Sequence, residues 1–193
     1  LNKKRAIEIT AQDVYSVNAA LRGGATRVEL CSALDVAGLT PSIGLLERSV
    51  EAAKNANADK FVDVLVRPRD GDFVYNDDEV MTAVYDIRRL VAAGAAGVVV
   101  GVLNEDLSVN TDALKRMIEA AGEAHVVFHR AFDVVADQFE ALERLVDLGI
   151  LRVLTSGGAP VTGEGLERIR DLVKAADGRI EIMAGGGLKV PDI

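Results

Sequence analysis

The stretch FHRAFD, residues 128–133, places an imidazole, a guanidinium and a carboxylate within six positions, directly after the apolar pair Val126-Val127. His129 alternates with Phe128, so in a strand it faces the side opposite the phenyl ring. A histidine there suits proton transfer. Asp133 offers a carboxylate, or simply a helix cap. Two glutamates, Glu8 and Glu29, end the first two apolar runs of the chain. Set side by side, one carboxylate would keep the other protonated, which is the starting point for general acid or base work. The competing reading pairs each glutamate with an arginine.

RPRDGDF, residues 67–73, adds Arg67 and Arg69 on one face, with Pro68 between them. Two guanidinium forks at this spacing suit a carboxylate or a phosphate, and they equally suit an ion-pair ring with Glu8 and Glu29. Asp70 and Asp72 in DGD are turn residues. Two glycine-rich loops, TSGGAPVTGEG (155–165) and AGGGLK (184–189), allow backbone N–H groups to approach an anion. Ser156, Gly157, Gly185 and Gly186 are the anion-binding candidates there, although neither loop matches a P-loop or a dinucleotide fingerprint and a plain tight turn explains GGG as well. Cys31 shares a face with Glu29. One thiol without a neighbouring Cys or Met is no recognisable metal site, and free cysteines are mostly buried hydrophobes. His125 lies toward the start of its run, away from these groups.

The elements that must position these residues follow from the hydrophobic periods. Short β-rich runs occur at 5–10, 27–31, 61–67, 96–103, 125–130, 152–156 and 179–184, separated by six amphipathic stretches of helical period. Thr40-Pro41 reads as a cap followed by a first-turn proline. Gly23, Gly94, Gly122, Gly149 and Gly178 stand where helices should end. Strict β–α alternation predicts a parallel sheet with right-handed crossovers.

The strand faces then favour a barrel over a doubly wound sheet. Ile7, Ile9, Val28, Leu30, Val62, Val64, Val66, Val126, Phe128, Ile180 and Ile182 form one apolar set. The alternate set is largely polar: Glu8, Thr10, Glu29, Cys31, Asp63, Arg67, Arg69, His129, Thr155, Glu181 and Met183. A sheet covered by helices on both faces would be apolar on both. The expected fold is a TIM (β/α)8-type barrel, 1–193 as one domain, with its site at the strand C-termini. Such a barrel needs eight strands and about 250 residues. About one strand and two helices are therefore expected to be missing at the C-terminus, with Pro191 opening a seventh helix.

Composition narrows the partners. The chain has 193 residues, 49% hydrophobic, with a formal net charge of −8. No basic face exists for a nucleic acid, and no apolar run reaches a membrane span. The single cysteine suits a reducing compartment, and no signal peptide is evident, so a cytoplasmic location is expected. A small anion is the ligand that the charged residues suit.

RVELCSALDVAGLTPSIG (27–44), VRPRDGDFVYNDDE (66–79), VVFHRAFD (126–133), RVLTSGG (152–158) and IMAGGGL (182–188), in this order, closely resemble the CutC copper-homeostasis family. The resemblance implies a cytoplasmic, TIM-barrel-like protein linked to copper tolerance and Cu(I) binding, with a C-terminal portion beyond this chain. It also implies thiol ligands at the ends of the first two strands. Cys31 keeps the second, and Thr10 stands in place of the first. Cu(I) prefers soft thiolate or thioether ligands, so one thiol would bind it weakly, alone or across a homodimer. The alternative is an enzyme acting on a small carboxylate or phosphate. Glu8, Glu29 and His129 would then carry protons, and Arg67 and Arg69 would grip the anion.

Overall fold

A computed structural model describes residues 6–188. Seven four-residue strands alternate with six α-helices: β1 (Glu8–Ala11), α1 (Val14–Gly23), β2 (Arg27–Leu30), α2 (Ile43–Asn55), β3 (Val62–Leu65), α3 (Asp77–Ala92), β4 (Gly97–Val100), α4 (Thr111–Ala121), β5 (His125–Phe128), α5 (Gln138–Asp147), β6 (Arg152–Thr155), α6 (Leu166–Ala176) and β7 (Glu181–Ala184). All seven expected strands and all six expected helices are present. The fold is a parallel α/β fold. Pro191 and Lys189 lie outside the described residues.

The chain forms two compact units. One comprises Leu1–Gly71, Met81–Val99 and Ala120–His125, and the other Asp72–Val80, Val100–Glu119 and Val126–Ile193. In the first, β1, β2, β3 and β4 pair in parallel in chain order. In the second, β5, β6 and β7 do the same. Helix crossovers are what make these parallel pairings possible.

Both faces of the first unit's inner strands are buried, which is why they are rich in valine and leucine. Val28, Leu30, Val62 and Val64 lie on one face at no more than 2% exposure. Glu29 and Asp63 lie on the other at 8% and 0%. Charged groups on that face are costly unless paired or neutralised, so their positions are informative. On β1 the expected apolar face is uncovered among the described residues: Ile7 and Ile9 are 37% and 38% exposed.

Three caps differ from expectation. Helix α1 runs through Gly23, and Gly24 takes the left-handed conformation at its end (φ 77°). The cap of α2 is Ser42, whose side chain accepts from Leu45 N, whereas Thr40 Oγ1 bonds the backbone of Arg67. Proline at 41 precedes the cap rather than following it. The cap of α5 is Asp137, not Asp133, because Asp133 is engaged elsewhere. Among the described residues no helix is long and apolar enough to cross a membrane.

Candidate functional site

Parallel register brings three acids together in the first unit. Glu29 lies beside Thr10 on one side and Asp63 on the other, and Asp63 lies beside Gly97. Glu8 pairs with Arg27 Nε on the neighbouring strand. An arginine that answers Glu8 is thus Arg27, one strand away. The fully buried Asp63 carboxylate meets His125 Nε2 at 2.9 Å and 3.0 Å through its two oxygens. Glycine at 97 makes room for that imidazole, since a Cβ there would stand 2.2 Å from His125 Nε2. Sequence reasoning passed over His125 because it begins its strand. The missed signal was the glycine opening β4, beside which a large ring can lie.

Among the described residues the Glu29 carboxyl has no hydrogen bond or ion pair. Burial, and to a lesser extent the charges of Glu8 and Asp63, push its pKa up to about 8. The expected protonated acid is therefore Glu29, and burial contributes more than its neighbours do. At neutral pH Glu29 carries a proton that it can donate.

Cys31 is fully buried, and its Sγ donates to Ala11 O at 3.6 Å. Burial, with Glu29 adding to it, pushes the thiol up to about 12. A soft metal binds the thiolate, and at neutral pH this group is a thiol. Thr10 is exposed and brings no sulfur. Among the described residues no three His, Cys, Asp or Glu side chains gather as metal ligands. The residues around Cys31 do not fit a Cu(I) ion. Alkylation of Cys31 by iodoacetamide should be at least a hundredfold slower in the native protein than in guanidinium, read by mass spectrometry. Equal rates would contradict this burial.

Arg67 and Arg69 receive separate tasks. The Arg67 guanidinium, 6% exposed, donates to Val36 O (2.7 Å), Gly38 O (3.0 Å) and Gly71 O (2.9 Å). It ties two loops together. Arg69 Nη1 donates to Asp70 O in its own loop.

The second unit holds a different group. His129 is 5% exposed and caps the 3-10 turn Arg130–Asp133, its Nδ1 accepting from Ala131 N at 3.0 Å. Its ring lies 4.9 Å from that of Phe73. Asp133, 6% exposed, gathers donors from three segments: Arg130 Nε (2.9 Å), Thr155 Oγ1 (2.5 Å), Ser156 N (3.0 Å), Ser156 Oγ (2.9 Å) and Gly158 N (3.1 Å). Burial acts to raise the carboxyl's pKa, but the hydrogen bonds from Thr155, Arg130, Ser156 and Gly158 prevail and hold it below its usual value. Arg130 Nη2 also reaches Ser156 Oγ at 2.9 Å.

Of the expected anion binders here, three are committed to the protein. Ser156 is fully buried. Gly157 N donates to Thr155 Oγ1, and Gly185 N to Thr155 O. Gly186 accepts from Thr162 through its carbonyl only. Arg130 was the residue not singled out. Its spacing of three from Asp133, in a segment too short for a helix, was the available signal.

The alternating strands and helices define a parallel α/β protein. Comparison narrows this. The chain belongs to the CutC family, whose model matches residues 5–193. It is 43% identical over 190 residues to a family protein CutC of Parabacteroides distasonis, covering 98% of this chain and 76% of that protein. A crystal structure of CutC from Streptococcus agalactiae is 34% identical with a TM-score of 0.92, covering 98% of this chain and 91% of that one. An aldolase, QR15, shares the fold at a TM-score of 0.68 and 18% identity, covering 96% of this chain and 80% of its own.

Proposed function

We propose that the protein serves copper homeostasis as a member of its family, in the cytoplasm, without a Cu(I) ion held on Cys31. Family membership carries the reading: the match spans residues 5–193, and the Streptococcus agalactiae relative carries copper homeostasis in its name. The sealed thiol argues that the contribution is indirect. Growth on copper of a strain lacking the gene tests both parts. The parent gene and a Cys31→Ser allele are expected to restore tolerance equally. Restoration by the parent alone would make the thiol a ligand after all. A deletion strain as tolerant as its parent would remove the copper role.

A second reading is favoured by Glu29. A buried carboxyl that keeps its proton at neutral pH, with no bond to the rest of the protein among the described residues, suits a general acid in an enzyme acting on a small organic anion. Protonated Glu29 would donate to an oxygen or carbon of the substrate as negative charge develops there. Asp63, hydrogen-bonded to His125, lies in the adjacent register position. A compound that raises the melting temperature and is turned over should lose turnover, but not binding, in Glu29→Gln. Retained turnover would exclude Glu29 as the acid.

A further inference from the structure

We propose that Arg130, lying beneath Gly186 in the second unit, anchors the phosphate group of a small phosphorylated compound. This goes beyond the readings above and does not depend on either of them.

Comparison of two arginines in the same chain shows why. Arg67 does what a structural arginine does: it is 6% exposed and spends its guanidinium on three backbone carbonyls. Arg130 is as firmly fixed but keeps donors in reserve. Its Nε donates to Asp133 and its Nη2 to Ser156 Oγ, both at 2.9 Å, and both partners are buried. The side chain is nevertheless 41% exposed, and among the described residues Nη1 reaches no acceptor. Nor is Arg130 needed to satisfy Asp133, which also accepts from Thr155 Oγ1, Ser156 N and Gly158 N. A preset guanidinium with one edge spent and the other open is the geometry that recognises an oxyanion.

The glycine loop supplies the second half. A Cβ at Gly186 would stand 2.9 Å from Arg130 Cζ and 3.1 Å from both Nε and Nη1, so the loop backbone lies against the flat face of the guanidinium. Any side chain at 186 would push that plane away. Gly186 and Gly187 both have positive φ, 113° and 72°, and neither donates its N–H to an acceptor among the described residues. Successive turn N–H groups beside a cation form a concavity for a multiply charged, tetrahedral anion. A carboxylate would use the arginine edge and leave those amides unserved.

Inorganic phosphate is the probe. Titration followed by 15N NMR of the parent chain should show saturable binding that shifts the amides of Gly186 and Gly187. Arg130→Met is expected to weaken binding at least tenfold, and Gly186→Ala by a similar factor. Arg69→Met and Glu29→Gln should bind as the parent does. Normal binding by Glu29→Gln keeps this site distinct from the acid, so either can fail alone. No saturable binding by the parent, unshifted glycine amides, or an Arg130→Met variant that binds equally well would each overturn the proposal. Acetate competing at the same concentration as phosphate would also overturn it, in favour of a carboxylate. Should Arg130→Met not fold, the parent's glycine amides decide the matter.

Discussion

Replacing Glu29 with glutamine should raise the melting temperature at pH 8 and flatten its dependence on pH. The carboxyl's pKa lies near 4.5 in the unfolded chain and is pushed up to about 8 in the folded one. Below pH 4.5 both states hold the proton and Glu29 makes no difference. Between the two values the unfolded chain ionises while the folded one stays protonated. Stability on Glu29's account is therefore fully present below the unfolded value and is lost as pH rises toward the folded one. The slope is about 1.4 kcal/mol per pH unit, on the order of 5 kcal/mol across the window. Glutamine has the same shape and cannot ionise, so the loss disappears. For a chain of this size the gain at pH 8 is about 10 °C, and it should shrink to a few degrees at pH 5.5. Thermal denaturation of parent and variant at the two values measures it. A variant less stable than the parent at both would show that Glu29 is ionised and paired.

The second large effect runs the other way. Asp133→Ala should cost about 3–5 kcal/mol at pH 7, because it leaves several buried donors without their acceptor. Those are Thr155 Oγ1 and Ser156 N and Oγ, and the more exposed Gly158 N and Arg130 Nε lose the same partner. The carboxyl's pKa is depressed on folding, so its stabilisation is present above 3.8 and fades as pH falls through the folded value. Urea denaturation of parent and variant should differ widely at pH 7 and converge in strong acid. Glutamate 140, in an exposed pair with Arg144, makes a control: Glu140→Ala should change stability by less than about 0.5 kcal/mol. A loss at Asp133 no larger than that would mean the donors find water instead.

The alternation of apolar runs and helical periods was enough to place every strand and helix among the described residues, because those patterns record which side of each element avoids water. It was also enough to nominate Glu8 and Glu29 as an interacting pair of acids. Caps were less legible. Thr40-Pro41 and Ser42 offer two adjacent candidates, and only the path of the chain toward Arg67 decides between them.

Partner choice among charged groups was not legible at all. Arg67 and Arg69 share a spacing that suits an anion clamp, yet Arg67 is drawn to carbonyls at 36, 38 and 71 that the sequence does not mark as acceptors. His125 meets Asp63 from a distance of 62 residues. Asp133, next to a helix start in sequence, turns to Ser156 and Gly158.

By itself the sequence determined the order of elements, the family and the residue types available for chemistry, since periodicity and local motifs are properties of neighbouring residues. The tertiary structure decided which acid keeps its proton, that the one thiol is sealed, and that Arg130 rather than Arg67 keeps donors in reserve. Those outcomes depend on desolvation and on hydrogen bonds between distant segments, and both exist only once the chain has packed.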